Sequence, residues 1–448
     1  MTTQPQPAAT RPCLTWPQAN ARRLARGYLT TPAPDAVGLP EIAGVMLGAH
    51  AQVLSAAEVS LAMRAAPGTT RAHVRHALWT EHSLVKTYGP RGTVHLLATE
   101  DLPMWTGALS ATPRPAGMRM KGTDGAVLLD ADQLAAVVAA IGDALADAEL
   151  TVDELTEAVA ARAGGWAADR VMSAFQDNWP RWRAATAYAA HAGALCFGHN
   201  RGRKVTYTNP HRWLPGFRPL DADTALSALV RRYLHAYGPA LPAHFAKWLA
   251  APSGWANGVF EAMESAGELE RVTLEAGPVE AWRVAGDTGY GGVGGYVGVG
   301  GYVGVGGYVG VGGYVGVGGY VGVGGYVGPT DEAGASAPAA PGVRLLPYFD
   351  AFSIASHPRE LLFPGRAYER ALTGGQAGNY PVLLIDGTVA GVWHQRRAGR
   401  RLHVTVEPLR ALGAAHRTAL EDEVARLAHI QEAEAELTVG PVTVGPHA

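Results

Sequence analysis

The sequence predicts an α+β protein with three tandem winged-helix domains, followed by a C-terminal β-rich region that carries a basic hairpin. Apolar residues at helical spacing precede short β-prone runs around a turn, and this order occurs three times before residue 289. Three helices followed by a hairpin is the order of a winged helix, a variant of the helix-turn-helix. After residue 341 the pattern changes to alternating strands with one long helix.

The first winged-helix domain is expected over residues 12–148, with a helical extension near 99–148. Its hairpin spans Leu84–Leu97, where two β-prone runs flank the turn Gly89–Gly92. The helices of this domain are expected at 16–29 and around 40–50, 56–64 and 71–80. The first helix is expected to expose three arginines, Arg22, Arg23 and Arg26.

The second domain is expected over residues 149–220. Thr151-Val152-Asp153-Glu154 has the pattern of a capped helix start. A recognition-type helix is expected around Arg181–Ala194, and the loop His199–Lys204 between two short strands predicts a wing with a basic tip. The third domain, residues 221–288, is expected to close with a pair of strands.

Residues 289–341 are predicted to be a low-complexity linker. Gly, Tyr and Val repeat with a period of six, so that tyrosines recur from Tyr290 to Tyr326. A period of six with so much glycine fits neither a helix nor a packed strand. A self-associating tract is the alternative, because Tyr and Val favour strands.

The C-terminal region, residues 342–448, is expected to be a β-rich domain. Strands are expected at Val382–Ile385, Val389–Gln395 and Leu402–Val406, a helix at Ala411–Ala433 and an edge strand near the end. Between the second and third strands, residues 396–401 form a hairpin tip with four arginines. Local clusters of arginine bind phosphate backbones, so this tip is a candidate DNA contact.

Composition indicates a globular protein, and the cysteine usage fits a reducing cytoplasm. We expect a monomer in a bacterial cytoplasm, associated with the nucleoid. The 448 residues are 48% hydrophobic, without an apolar run long enough to span a bilayer or an apolar leader segment. The two cysteines make neither a disulfide framework nor a metal site. No motif demands a metal or another cofactor, because zinc-binding, phosphate-binding and dinucleotide-binding patterns are absent from the sequence.

The distribution of basic residues favours a nucleic-acid partner, although the formal net charge is only −2. All but four of the 37 basic residues are arginines, which bind phosphates with two hydrogen bonds. They cluster locally, as phosphate-binding patches do, and a solvated surface is the alternative. The candidate DNA-binding residues are Arg91, Arg201, Arg203, Lys204, His394, Gln395, Arg396, Arg397, Arg400 and Arg401.

The candidate catalytic residues are His50 and Gln52. A helical pattern leads into His50, and Ser55 with Glu58 predicts a capping box that starts the next helix. In an extended break between two helices, side chains at i and i+2 share a face and can hold one water molecule. We therefore expect the preceding helix to end near His50. The alternative is a buried histidine and a glutamine that satisfies loop backbone.

Several motifs together resemble the winged-helix family that includes the AlkZ-like and YcaQ-like DNA glycosylases. The resemblance covers nearly the whole chain except the Gly/Tyr/Val tract. It is carried by Leu14–Trp16, Ala21–Leu24, Leu47–Gln52, Arg91–Leu96, Tyr233–Pro239, Phe245–Trp248, Leu345–Asp350 and Ile385–Trp393.

The resemblance implies a monofunctional DNA glycosylase that excises bulky N-alkylated purines from duplex DNA and unhooks interstrand crosslinks. Such an enzyme serves DNA repair or self-resistance to a genotoxin. The catalytic motif of the family is Gln-aliphatic-Gln, or Gln-aliphatic-Asp in one branch. Here it falls on His50-Ala51-Gln52, so Gln52 matches the second position and His50 departs at the first.

The chemistry expected at this motif is hydrolysis without strand cleavage. An alkylated purine carries a positive charge, so its glycosidic bond is weak and needs only an aimed water and a stabilised sugar cation. No lysine lies near the motif along the chain, which disfavours a Schiff-base lyase mechanism. A non-catalytic DNA-binding regulator and a scaffold that self-associates through its repeats are the alternatives.

Overall fold

A computed structural model describes residues 12–113, 121–123, 125–173, 177–275, 279–289, 342–372 and 374–445. They form a mixed α+β structure, as the sequence predicts. The predicted linker, residues 289–341, lies outside the described residues apart from Gly289. In the described part of the chain, no helix is both long and apolar enough to cross a membrane.

The first part of the chain follows the predicted order of helices and hairpin. Its elements are β1 (Cys13–Leu14), α1 (Trp16–Arg26), α2 (Leu39–Val45), β2 (Ala49–His50), α3 (Leu54–Ala62), α4 (Arg71–Trp79), β3 (Leu84–Tyr88), β4 (Val94–Ala98) and α5 (Leu102–Ala111). The elements from α2 to β4 form the first set, whose strands pair in the order β2-β4-β3. Because α2 ends at Val45, the expected break before His50 is confirmed.

The next part repeats this arrangement with an inserted hairpin. Its elements are α6 (Ala131–Leu145), β5 (Leu150–Thr151), α7 (Val152–Ala163), β6 (Arg170–Ser173), β7 (Asn178–Pro180), α8 (Thr186–His191), β8 (Cys196–Phe197) and β9 (Thr206–Thr208). Without the inserted hairpin β6–β7, these elements form the second set. Its strands pair in the order β5-β9-β8, which is the order of the first set.

A third set of helices and strands follows. Its elements are α9 (Ala222–Tyr237), α10 (Pro242–Leu249), α11 (Ser253–Ser265), β10 (Leu269–Leu274) and β11 (Val279–Val284). The backbones of Ala240 and Trp282 exchange two hydrogen bonds of 3.0 Å, so a single bridge takes the place of the short first strand. The N-terminal strand β1 extends this sheet by parallel pairing with β10.

The C-terminal part, residues 342–445, is one five-stranded sheet with a long helix, close to the prediction. Its elements are β12 (Val343–Leu346), α12 (Ala351–Ala355), α13 (Arg359–Leu362), α14 (Arg366–Ala371), β13 (Val382–Ile385), β14 (Thr388–Ala398), β15 (Arg401–Pro408), α15 (Ala414–Ile430) and β16 (Glu434–Val439). The strand order follows the sequence from β12 to β16, and β16 is an edge strand as expected.

Helix α6 packs with the second set rather than with the first. The sequence pattern predicts residues 131–145 as part of the helical extension of the first domain. Val137, Ile141 and Leu145 are buried in a core shared with α7, α8 and the strands of the second set. The apolar stripe of α6 therefore supplies the first helix of that set, and the core begins before residue 149.

The predicted capping box at Ser55 and Glu58 is wrong. Helix α3 begins at Leu54, and its N-cap is Val53, whose side chain cannot accept a hydrogen bond. Glu58 is buried and accepts hydrogen bonds from Arg71 and Arg75 of α4 instead. Two guanidinium groups outcompete a single backbone N–H for a buried carboxylate, since charged pairs make stronger hydrogen bonds.

The three arginines of α1 are buried, not exposed. The guanidinium of Arg23 donates hydrogen bonds to the carbonyls of Gly238, Pro239 and His357 at 2.6–3.2 Å. Arg22 and Arg26 both pair with Asp287. Burial is tolerated because these donors find carbonyl and carboxylate partners in distant parts of the chain, which a helical pattern does not reveal.

The first set and the C-terminal part share one hydrophobic core, which joins, for example, Ile42 and Leu61 to Leu345 and Val392. A buried ion pair between Arg64 and Asp350 crosses the same boundary at 2.8 Å. Together these contacts place the turn that precedes α12 against the first set, close to β2.

Candidate active site

His50 lies on a short strand that the preceding turn directs into the interior. Leu47 and Gly48 both have left-handed backbone angles, with φ of 57° and 88°. A Cβ atom at Gly48 would approach a Leu97 methyl to 2.5 Å, so the positive φ and this close contact both favour glycine in the turn. The chain then pairs with β4, where His50 lies opposite His95.

The His50 imidazole is 7% exposed and lies between two rings. Its centroid is 5.1 Å from that of His95, in an edge-to-face arrangement, and 4.6 Å from that of Phe349. Within the described part of the chain, no group hydrogen-bonds its buried Nδ1 atom. A buried polar atom of this kind is a position at which a water molecule or substrate atom binds.

Burial and the nearby Arg91 guanidinium lower the pKa of His50 to about 4. The imidazole is therefore neutral at pH 7 and offers a lone pair rather than a positive charge. The pKa of His95 is also well below its usual value, mainly through burial. His95 donates from Nδ1 to the Thr93 carbonyl at 2.9 Å, which fixes its tautomer and ring orientation.

Gln52 is exposed and lines a cavity of about 930 Å³ between the first and second sets. His50 is not one of the described residues that line this cavity, so of the two candidate catalytic side chains only Gln52 lies at its wall. Arg91 lines the cavity and also influences the pKa of His50. Its guanidinium donates to the Trp248 carbonyl at 2.7 Å, which holds it at this position.

Aromatic and basic side chains from both sets line part of the cavity. The Lys86 ammonium lies 4.5 Å from the centre of the Phe197 ring, and the Arg183 guanidinium lies 3.8 Å from the Trp179 ring. Cations over aromatic faces are typical of surfaces that stack bases and contact phosphates. Lys86 lines the same cavity as Gln52. The absence of a lysine near the motif along the chain therefore does not argue against a Schiff-base mechanism.

The basic tip of the second set lies against acidic residues of α7. Arg201 pairs with Glu154 at 3.0 Å and Lys204 pairs with Asp153 at 2.9 Å, while Arg203 is exposed between them. Lys204 and Asp153 both line the cavity. These pairs reduce the positive charge that the sequence predicts for this tip, because the acidic residues that face it are distant along the chain.

The hairpin β14–β15 is present, and its four tip arginines are all exposed. Cross-strand pairing of Arg396 with His403 places these two side chains on one face of the sheet together with the half-buried His394. Arg397 and Gln395 point to the other face, where they hydrogen-bond Gln431. The candidate DNA-binding residues of the hairpin therefore divide between two faces.

Phe349 and His95 contact His50, and sequence reasoning predicts neither as a site residue. Both lie in segments that carry the family resemblance, Leu345–Asp350 and Arg91–Leu96. Their proximity to His50 depends on sheet pairing and on the packing of the C-terminal part, which residue spacing does not show. Among the described residues, no group of three or more possible metal ligands comes together.

Known proteins similar to this chain share this architecture. A DNA glycosylase AlkZ-like family model matches residues 44–295 and 308–430. The solved structure of the Streptomyces sahachiroi DNA glycosylase AlkZ superimposes with a TM-score of 0.68 at 23% identity. The superposition covers 95% of this chain and 100% of that one.

A curated relative has a closer sequence. An interstrand DNA cross-link repair glycosylase of Streptomyces sahachiroi is 30% identical over 258 residues, which are 53% of this chain and 61% of that protein. The chain thus spans less than two thirds of that relative. Because the family model matches most of the sequence, the chain belongs to the AlkZ-like DNA glycosylase family.

Proposed function

We propose that this protein is a DNA glycosylase that hydrolyses the N-glycosidic bond of bulky N-alkylated purines in duplex DNA. The observation that carries the proposal is the exposed Gln52 at the wall of a cavity that Lys86 and Arg91 also line, two residues along the chain from a buried, neutral His50 whose Nδ1 atom has no partner among the described residues. Family membership and the name of the cross-link repair relative support it.

The residues suit a reaction in which most of the driving force lies in the substrate. Gln52 aligns a water molecule through its amide oxygen, and His50 accepts a hydrogen bond from that water. With a pKa of about 4, His50 is a weak base at pH 7, so orienting the water is its main role. A neutral imidazole also avoids repelling the cationic purine and the sugar cation.

DNA binding is assigned to three winged helices and the basic hairpin. The first and second sets share one order of helices and one strand order, and the third set repeats it with a single bridge. We propose that each set is a winged helix and that duplex DNA contacts the cavity between the first two. Arg396, Arg400 and Arg401 at the exposed hairpin tip contact phosphates or enter a minor groove.

Base release from duplexes with defined lesions tests the proposal. N7-methylguanine, a bulky N7-alkylguanine and an N7–N7 interstrand crosslink are incubated with the protein, and abasic sites are revealed by alkaline cleavage. We expect release of the bulky lesion and unhooking of the crosslink, both reduced by His50→Ala and by Gln52→Ala. If both variants release base at the wild-type rate, the catalytic assignment fails.

The hairpin assignment is tested by the salt dependence of binding. Alanine at Arg396, Arg397, Arg400 and Arg401 is expected to weaken duplex binding and to flatten the dependence of log K on log salt. The slope should decrease by about 0.9 for each phosphate that the variant no longer neutralises. An unchanged slope would remove the hairpin from the DNA interface.

A non-catalytic DNA-binding protein is the second candidate. It is favoured by His50 itself, which departs from the family motif and is not one of the described residues that line the cavity. Tight duplex binding without base release from any of the three lesions would establish this alternative.

A further inference from the structure

One turn of the C-terminal part reaches into the first set and contacts His50. Tyr348, Phe349 and Asp350 connect β12 to α12. The centroid of the Phe349 ring lies 4.6 Å from that of His50, with the two planes at 39°. His95 covers a second side of the imidazole from β4. The imidazole is therefore enclosed by one ring from its own sheet and one ring from the C-terminal part.

Two contacts hold this turn in place. The Asp350 carboxylate is fully buried and accepts hydrogen bonds from both terminal nitrogens of Arg64, which follows the C-terminus of α3, at 2.8 and 2.9 Å. Bidentate pairing fixes orientation as well as distance. The same carboxylate accepts hydrogen bonds from the Ser60 hydroxyl on α3 and from the Phe352 backbone, so one side chain joins α3 to the start of α12.

Phe349 itself has a backbone conformation that bulky residues rarely adopt. Its φ is +56°, and its N–H donates to the Gly378 carbonyl at 3.1 Å. A Cβ atom at Gly378 would lie 3.0 Å from the Phe349 ring, so a larger residue there would displace the ring. A non-glycine residue in this region persists only where surrounding contacts determine it, and such positions cluster at functional sites.

We propose that Phe349 is a positioning residue that fixes the orientation of the His50 ring and keeps water from one of its faces. The proposal deepens the assigned glycosylase function and rests on it, because His50 is the group being oriented. It also gives the Leu345–Asp350 segment a role in the site, although this segment belongs to the C-terminal part.

The proposal has a consequence that a purely structural role lacks. Removing the Phe349 ring lets water solvate the imidazole, so the pKa of His50 rises from about 4 toward its ordinary value near 6.5. Among the described residues, the other titratable or charged groups that contact His50 or act on its pKa are Arg91 and His95, and both remain in the variant. Protonation of His50 then removes the lone pair that orients water, and base release becomes sensitive to mildly acidic pH.

The experiment compares Phe349→Ala and Phe349→Leu with Phe363→Leu as the matched control. Phe363 is another phenylalanine of the C-terminal part, and it is buried in the core that this part shares with the first set. NMR titration of the full-length protein gives the pKa of His50, whose signal is assigned by its loss in His50→Ala. Single-turnover base release and duplex affinity are measured from pH 5.5 to 8.

We expect Phe349→Ala to raise the His50 pKa and to slow base release by about tenfold or more at pH 7.5, since a misplacement of 1 Å costs up to about 100-fold. The rate should fall further toward pH 5.5, whereas the wild-type rate stays flat and duplex affinity is unchanged. Phe349→Leu, which stays apolar, should show a smaller shift in the same direction. Phe363→Leu should show none.

An unchanged His50 pKa together with a wild-type pH profile in Phe349→Ala would overturn the proposal. If that variant does not fold, Phe349→Leu decides in its place: a raised pKa supports the proposal, and a wild-type pKa overturns it. The titration needs no substrate. A raised pKa in a protein without base release would thus refute the glycosylase function while retaining the contact between Phe349 and His50.

Discussion

The first and second sets differ most at the junction where their short strand meets the next helix. In the second set, Thr151 ends β5 and caps α7 directly, with Glu154 bonding back to the Thr151 N–H at 2.7 Å. In the first set, three residues separate His50 from α3, and the apolar Val53 occupies the N-cap. The two sets share one topology, but α7 of the second set begins with a side-chain cap and α3 of the first set begins without one.

The fold accepts a stability cost at the junction of the first set. A side-chain N-cap contributes about 0.5–2 kcal/mol, and the first set forgoes it. In exchange, Ala51 and Gln52 are free of the helix and form part of the cavity wall. Local sequence rules fail at functional positions when a second requirement competes with them, and this junction is such a position.

Arg64→Met should have the largest effect on stability, because it leaves the buried Asp350 carboxylate without its charged partner. The expected loss is about 3–5 kcal/mol in the free energy of unfolding, measured by urea denaturation. Arg201→Met in the second set removes an exposed ion pair and should change stability far less. Equal losses in the two variants would contradict the assignment of Arg64 as the anchor between the first set and the C-terminal part.

Acid should destabilise the first set through His50, whereas the second set has Thr151 at the corresponding place. The folded pKa of about 4 is below the unfolded value near 6.5, so the unfolded state binds a proton first as pH falls. Stability from this group is fully present above pH 6.5 and is lost toward pH 4. His50→Gln should remove roughly 2–3 kcal/mol of that pH dependence.

The check is denaturation of the wild type and His50→Gln at pH 7.5, 5.5 and 4.5. Other histidines, among them His95, His235, His244 and His357, also have lowered pKa values, so both proteins should lose stability in acid. Parallel curves for the two proteins would show that His50 has an ordinary pKa.

Thr151→Ala should destabilise the second set by about 1 kcal/mol, because it removes the capping box of α7. Base release should be unchanged, since Thr151 takes no part in the proposed chemistry. Thermal denaturation and single-turnover release test both statements. If the variant lost base release but kept its stability, the junction between β5 and α7 would take part in catalysis.

Val53→Ser should have the smallest effect, a gain of about 0.5 kcal/mol, because it supplies α3 with the side-chain cap that it lacks. The measurement is the shift in melting temperature. A loss of stability would indicate that the exposed Val53 side chain makes a contact more valuable than a cap.

Much of the fold is predictable from sequence because it depends on local periodicity. The three repeated orders of helices and strands, the basic hairpin and the edge strand follow from apolar spacing and turn residues. The predicted capping box at Ser55 and Glu58 is wrong because Glu58 has long-range partners, Arg71 and Arg75. The predicted exposure of Arg23 is wrong for the same reason.

The candidate site, too, is predictable only where it depends on local sequence. The helix break before His50 follows from the residues around it, whereas the burial of His50 beside an exposed Gln52 does not. Phe349 lies far from His50 along the chain, and only the shared core of the first set and the C-terminal part brings them together. Spacing rules contain no information about such contacts, because they describe neighbours within one element.

The decisive experiment on the proposed site is single-turnover release from a duplex with one bulky N7-alkylguanine, by wild type, Gln52→Ala and Thr151→Ala. We expect Gln52→Ala to slow release by about 100-fold or more at unchanged duplex affinity, whereas Thr151→Ala keeps the wild-type rate. Release by Gln52→Ala at the wild-type rate would contradict the assignment of Gln52 as the group that aligns the attacking water.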